Sequence, residues 1–370
     1  MKFLWLAHRD PLNPRAGGAE RIIYEVGSRL AKKGNQVSVL AGGWKNCKRE
    51  EYLLGIHIMR FGYRIGPHFA LQIHVLRHRY DIIIADLGHA VPWVSPFLLR
   101  RKTIVLFHHL HARSLSGQVG KLFAYLITAA EKLYFIIYNR SHFVTNSNTS
   151  FADLENLGIN AKNISLIHPG VNSKLFHSSI KTDSPSIVYF GGMRRYKRPE
   201  ESLYLLKELR NKFIDLKLTI IGDGPCRPNL ESLCLKMGLS GNVTFAGRMS
   251  DDEVAEIVAS SWLNIHSSVT EGWGISIIEA SSAGTPTVAF DVPGVRDTVE
   301  DGLNGIKVED GNRKALAEAA YSILSSPAKW WLSSIEVAKK YSWDKTAESW
   351  ENLIKEITDE HHNETKRMKS

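Results

Sequence analysis

The sequence predicts an α/β protein built from two doubly wound, parallel-sheet domains, and three observations carry that reading. Short β-branched or apolar runs alternate with helical patterns along the chain, the grammar of βαβ units. That grammar restarts after a polar stretch running from Pro169-Gly170 to Pro185. At 370 residues, the chain has about two to three times the length of one domain. With 44% hydrophobic and 23% charged residues it can fill two cores, which excludes a disordered chain, a fibrous repeat and a small disulfide-stapled scaffold.

Taken in order, the strand candidates of the first half are Lys2–Ala7, Gln36–Ala41, Ile82–Asp86, Thr103–His108 and His142–Ser147. Between the first two lies Ala19–Lys33, where Ile22, Ile23, Val26 and Leu30 recur at helical spacing. The second half offers Ser186–Phe190, Leu216–Ile221, Asn242–Ala246, Leu263–His266 and Thr287–Phe290, each followed by a loop and a helix. The expected division is 1–175 for the first domain, 176–340 for the second, 341–358 for a terminal helix and 359–370 for a disordered tail. Two such sheets imply a deep cleft outside the carboxyl ends of their strands, where ligands bind.

Charge is divided unevenly. Residues 1–170 carry 22 Lys and Arg against 10 Asp and Glu, whereas the remaining 200 carry 25 against 28. A basic first half favours an anionic partner: a phospholipid surface, a lipid-linked phosphate or nucleic acid. The plain alternative is a solubilising surface. Lys121–Tyr138, apolar at Phe123, Tyr125, Leu126, Leu133, Phe135, Ile136 and Ile137, reads either as a segment resting on an anionic membrane or as a buried helix. Three cysteines without metal-ligand spacing point to a reducing cytosol. The opening apolar run is too short for a signal-peptide core, and no run of eighteen apolar residues spans a bilayer. The expected location is cytoplasmic, peripheral at the membrane face if the basic half meets lipid.

Three loops can do chemistry. Arg15-Ala16-Gly17-Gly18-Ala19-Glu20 follows the first strand and opens a helix, so its glycines admit a close ligand and its amides an anion. Gly191-Gly192-Met193-Arg194-Arg195-Tyr196-Lys197-Arg198 puts four cations within five residues at a strand end, which suits a diphosphate. Ser267 to Ala280 is a glycine-broken loop entering a helix near Ile275. The amides of Gly274, Ile275 and Ser276 meet the helix start, with Glu271 in the loop and Glu279 about one turn inside. Carboxylates accept paired hydrogen bonds from sugar diols. Each loop also has a plain reading, as a turn, a solvated basic loop or a helix-start glutamate.

Absences narrow the field. There is no Walker loop, zinc-protease helix or Asp-x-Asp pair, so no carboxylate-held metal or other cofactor is expected. Gly222-Asp223-Gly224-Pro225-Cys226-Arg227 has Arg where a dinucleotide fingerprint needs its third glycine. His108-His109-Leu110-His111 lacks acidic or cysteine partners for a metal.

Together these residues resemble the retaining glycosyltransferases of family 4, which have the GT-B fold, over nearly the whole chain. Glu271 and Glu279 with seven residues between them match the family signature, followed by Gly284-Thr285-Pro286. Gly17-Gly18-Ala19-Glu20 matches its glycine-rich loop, Phe107-His108 its first-domain histidine, and Ile167-His168-Pro169-Gly170-Val171 its lead into the second domain. Tyr341-Ser342-Trp343 resembles the element before a helix that crosses back onto the first domain.

The resemblance implies roles. Lys197, Glu271, His108 and Arg195 would be catalytic. Gly18, Arg194, Lys197, Gly247, Arg248, Met249, Glu271, Gly274, Ile275, Ser276 and Glu279 would bind a nucleotide-sugar donor. Gly17, Gly18, His108 and His109 would face the acceptor. Glu271 would hold the transferred sugar and Glu279 the ribose, with Phe245–Met249 against the base. One departure is visible: the family commonly has Arg where this chain has Gly192, so either Arg194 or Arg195 reaches the phosphates or Lys197 acts with less help.

The expected reaction moves a hexose from a UDP- or GDP-sugar to a hydroxyl of a glycan or lipid-linked acceptor, with retention and without metal. Rival readings are a nucleotide-sugar epimerase and a non-catalytic glycan- or nucleic-acid-binding protein. No RNA-binding aromatic signature or zinc-finger spacing supports a nucleic-acid partner.

Overall fold

The computed structural model describes residues 1–63, 73–88, 93, 103–110, 125–126, 128–129, 131, 137–138 and 141–367, with side chains as far as Asp359. The described residues up to Pro169, joined by the chain from Trp343 onward, form one compact unit, and Gly170–Ser342 form another. The change of unit thus falls at Pro169, ahead of the expected break after residue 175, because the chain from Gly170 already packs with the second unit. Val171 and Phe176 are buried there with Trp273 and Ile278. Most of the Lys121–Tyr138 segment lies outside the described residues.

The first unit contains β1 (Lys2–Leu6), α1 (Gly18–Lys32), β2 (Gln36–Gly43), β3 (Glu50–Leu53), β4 (Ile56–Tyr63), β5 (Ile82–Asp86), β6 (Thr103–Phe107), β7 (His142–Thr145), α2 (Asn148–Asn156) and β8 (Ile164–Leu166). Its sheet runs β3-β4-β2-β1-β5-β6-β7-β8, parallel throughout except for the antiparallel pair of β3 and β4. Strands covered on both faces read as continuous apolar runs. Accordingly Ile82, Ile83, Ile84 and Ala85 are all buried, and Ile83 and Ala85 join Leu4, Leu6, Val105 and Phe107 in one core.

The second unit contains β9 (Ser186–Phe190), α3 (Glu200–Leu209), β10 (Lys217–Ile221), α4 (Arg227–Lys236), β11 (Val243–Gly247), α5 (Asp251–Ser260), β12 (Leu263–His266), α6 (Ile275–Ser282), β13 (Thr287–Phe290), α7 (Val295–Thr298), β14 (Gly305–Val308), α8 (Arg313–Ser325) and α9 (Ala328–Ala338). Its six parallel strands are ordered β11-β10-β9-β12-β13-β14, the doubly wound order of a Rossmann sheet.

The last helix, α10 (Trp343–Arg367), belongs to the first unit. Trp343, Ala347, Trp350 and Ile354 are buried at helical spacing, and the Trp350 ring lies 5.5 Å from that of Trp5 on β1. Arg29 of α1 donates to Asp344 at 2.7 Å, and Lys33 pairs with Glu351. The expected disordered tail from residue 359 is corrected: the helix continues to Arg367, since no Gly or Pro interrupts the chain after Trp343. Among the described residues, no helix is long and apolar enough to cross a membrane.

Candidate active site

In a doubly wound sheet, the order reverses between two strands, and the loops leaving their carboxyl ends frame a ligand crevice. In the second unit those strands are β9 and β12. The loop after β9 carries Lys197, and the loop after β12 carries Glu271. The two cation- and carboxylate-bearing loops of the sequence therefore leave neighbouring central strands at the same end of the sheet.

Their side chains meet. Lys197 Nζ donates to Glu271 Oε1 at 2.5 Å, with side-chain exposures of 21% and 12%, so the pair is largely withdrawn from water. His266 Nε2 lies 3.0 Å from the same oxygen, and Ser268 Oγ donates to it at 2.5 Å. Burial alone would raise the Glu271 pKa, yet the Lys197 ammonium and the His266 ring hold the carboxyl far below the ordinary carboxylate range. Burial likewise disfavours the Lys197 ammonium, and Glu271 outweighs it, raising the lysine above its usual value. Both groups are ionised at neutral pH, forming a dry, fixed dipole at the strand ends.

The loops are laced so that this pair keeps its geometry. Arg198 has a left-handed backbone, φ 46°, unusual for a residue with a side chain. It donates to the carbonyls of Ser267 at 2.7 Å and Ser268 at 3.1 Å, pairs with Asp310 at 2.5 Å and lies over the Phe290 ring. Ser267 Oγ returns bonds to the carbonyls of Lys197 and Arg198, and the Val269 amide donates to Tyr196. Arg198 is thus committed to protein, which removes one of the four cations expected at the phosphates. Arg194 and Arg195 are exposed. The charge of Arg194 acts on Lys197, and that of Arg195 on Cys226.

Gly274, at φ 93°, caps the start of α6, where Ile275 and Ser276 follow half-buried and Glu279 lies one turn further, also half-buried. Gly294 is packed against the same loop: a Cβ there would sit 2.3 Å from the Glu271 carbonyl oxygen. Gly247 ends β11 at φ 74°, followed by exposed Arg248 and half-buried Met249, which packs against the core cluster that contains Ile221. Gly222 and Gly224 serve loop packing. A Cβ on Gly222 would meet the Gly191 carbonyl at 2.0 Å, and one on Gly224 the Met193 carbonyl at 2.5 Å.

The first unit gathers its own cluster at the ends of β1, β5 and β6. His108 follows β6, buried, with Nε2 2.9 Å from Asp86 Oδ1 and Nδ1 3.2 Å from the Asn146 amide nitrogen. Burial lowers the imidazole's pKa, but Asp86 overrides it, and Glu20 adds to the rise above 6.5. Half-buried His109 comes next, and His111 lies outside the described residues. Asp86 also accepts from the Gly88 amide at 2.7 Å. At the start of α1, the Glu20 carboxylate takes the Gly17 amide at 2.7 Å and Arg9 at 2.9 Å, fixing the Gly17-Gly18 turn. Asp86, Asn146, His266 and Ser268 were not singled out from sequence. The available signal was a polar residue closing an apolar strand, as Asp86 closes β5 and His266 closes β12.

Comparison with known proteins identifies the family. The family described as Glycosyltransferase Family 4 matches residues 16–175, and the one described as Glycosyl transferases group 1 matches residues 172–343. An uncharacterised glycosyltransferase of Methanocaldococcus jannaschii is 24% identical over 362 residues, covering 88% of this chain and 91% of its own. Sucrose-phosphate synthase from Thermosynechococcus elongatus shares the fold with a TM-score of 0.84 at 21% identity, over 96% of this chain and 98% of that one. Anabaena HepE, solved in complex with UDP-glucose, has a TM-score of 0.77 at 18% identity, over 96% of this chain and all of that one. The two family matches together take in nearly the whole chain, and it belongs to the family-4, group-1 glycosyltransferases of GT-B fold.

Proposed function

We propose that this glycosyltransferase moves a hexose, with retention, from a UDP- or GDP-sugar to a hydroxyl of a glycan or lipid-linked acceptor, and needs no metal. The observation that carries the reading is the buried Lys197–Glu271 pair beside the start of α6. The difficult step is departure of a nucleoside diphosphate from the anomeric carbon. Lys197 and the helix-start amides of Ile275 and Ser276 offer preorganised positive charge where negative charge grows, in a site with little water. Glu271 is suited to accept hydrogen bonds from the sugar's hydroxyls and Glu279 from the ribose. For retention, the acceptor oxygen enters the face that the phosphate leaves, and a departing phosphate oxygen takes its proton. His108 and the Gly17-Gly18 loop are assigned to the acceptor side. HepE was solved with UDP-glucose, which supports a nucleotide-sugar donor here.

The lipid-linked acceptor rests on the basic first half, and an anionic cytoplasmic membrane face is the surface it fits. Pelleting with anionic vesicles at low salt tests this, and no binding there sinks the membrane part. The donor is tested by thermal shift with UDP, GDP, ADP and their sugars, with and without EDTA, on wild type and Glu279→Ala. We expect a shift with one nucleotide family, kept in EDTA and lost in the variant. No shift at millimolar nucleotide would put a non-catalytic protein first, and an epimer formed without acceptor would replace transfer by epimerisation.

A further inference from the structure

Among the described residues, three side chains meet the Glu271 carboxylate, and all converge on one oxygen. Lys197, Ser268 and His266 each reach Oε1. Among the described residues no side chain donates to Oε2, and Oε2 is not one of the sealed, unpartnered atoms. An ionised carboxylate has about four acceptor positions on its two oxygens. The described donors crowd one oxygen and leave the other to whatever enters.

The three donors differ in what they can enforce. Lys197 is a flexible stem, and on the reading above it also serves the diphosphate. The Ser268 hydroxyl turns freely. His266 is a rigid ring with 8% of its side chain exposed, on the last residue of β12, where the backbone is paired to Ala289 of β13. Its tautomer follows from its partners: Nε2 faces a carboxylate and must carry hydrogen, so in the neutral ring Nδ1 is an acceptor. Nδ1 lies 3.4 Å from the hydroxyl of Ser276, the second residue of α6. One imidazole therefore spans the carboxylate loop and the helix start.

We infer that His266 is a positioning residue for the transferred sugar: it holds Glu271 with Oε2 turned toward the ligand and in register with the start of α6. This rests on the donor reading above, which is tested first on the wild type. The experiment compares wild type, His266→Ala, His266→Asn and His266→Gln. Titration calorimetry gives the affinities for the nucleoside diphosphate found in the thermal-shift panel and for its sugar, and steady-state assays give kcat and KM.

His266→Ala should keep the nucleoside diphosphate affinity within about twofold and lose about tenfold in the added affinity of the sugar or in kcat, the usual effect of one hydrogen bond to a charged group. His266→Gln, whose amide reaches Oε1, should recover most of that loss. His266→Asn, long enough for Ser276 only, should behave like Ala. If the Ala variant fails to fold, the Gln–Asn contrast carries the test. Equal losses for diphosphate and sugar, rescue by Asn rather than Gln, or no loss in any variant each overturn the inference. A wild type that binds no nucleotide overturns the donor reading and this inference with it, and shows before any variant is made.

Discussion

The two units have sheets of the same doubly wound kind, yet the centres at their strand ends differ in what they can do with a proton. In the second unit, Lys197 and Glu271 are each pushed further into their charged forms by the other, so neither changes state near neutrality. Such a pair suits fixed electrostatic work on a leaving phosphate. In the first unit, Asp86 raises the pKa of a buried imidazole above its usual value, with Asn146 on its other nitrogen. A group of that kind can trade a proton or reorient a polar contact. One fold thus carries a lysine–carboxylate pair in one unit and a histidine–carboxylate pair in the other.

The largest expected effect breaks the dipole. Lys197→Ala should lower kcat/KM by about 10²–10³, the usual loss for one charge-stabilising group at a leaving oxyanion. It also strands the Glu271 carboxylate in a dry site, costing about 3–5 kcal/mol in denaturant unfolding of the second unit. A variant within tenfold of wild type in kcat/KM would show that the dipole does not act on the reaction.

Next in size is a contrast between glycines. At Gly294, with φ 80°, an added Cβ would lie 2.3 Å from the Glu271 carbonyl oxygen, and backbone must move to admit it. Gly294→Ala should destabilise the second unit by about 2 kcal/mol and reduce transfer through the displaced Glu271 loop. Gly17 has an extended backbone, and a Cβ there meets only Glu20 Oε2 at 3.7 Å. Gly17→Ala should stay within about 0.5 kcal/mol of wild type. Urea titrations of both variants would decide it, and equal costs would sink the contrast.

The protonation difference should appear as opposite pH edges. Glu271 has its folded pKa depressed below 4.5, so its contribution is complete above that value and is lost as pH falls through the folded pKa. His108 has its folded pKa raised above 6.5, so its contribution is complete below 6.5 and is lost as pH rises through the folded value. Asp86→Asn should remove the second edge and leave the first. Urea stability against pH, with the His108 ring protons followed by NMR, would show it; an unmoved His108 midpoint would refute the Asp86 assignment.

Much of the second unit's site was legible because its signals are local. Cations follow one strand, and a glycine-broken loop opens a helix between two glutamates after another. What stayed hidden is contact across strands. Asp86 and His108 are 22 residues apart and meet because β5 and β6 are neighbours, a fact no spacing reveals. Arg198 looked like a phosphate ligand because sequence shows its charge and not its left-handed backbone, which turns the guanidinium to the Ser267 loop. The β3–β4 hairpin was missed because Glu50-Glu51-Tyr52-Leu53 is half charged and sits at the sheet edge, where only β4 supports it. Asp86 and His266 each end an apolar strand at its carboxyl end, and that is the pattern a sequence reading should have marked.

The smallest expected effect sharpens the comparison. Gly192 stands where the resemblance places an arginine, which leaves Lys197 with the exposed Arg194 and Arg195 at the cation-bearing loop. The loop tolerates a larger residue: a Cβ on Gly192 meets nothing within 4 Å, the backbone is not left-handed, and the position is exposed. Gly192→Arg should therefore fold with wild-type stability, within about 0.5 kcal/mol. If a diphosphate occupies this end of the sheet, the added guanidinium should tighten nucleoside diphosphate binding several-fold, more at low salt than at high, because an exposed cation is screened. Titration calorimetry at two ionic strengths reads this directly. An affinity that rises without salt dependence would mean that the new side chain acts by packing. No change would mean that Lys197 and the helix start already meet the phosphate's demand, so that a glycine here costs the enzyme nothing.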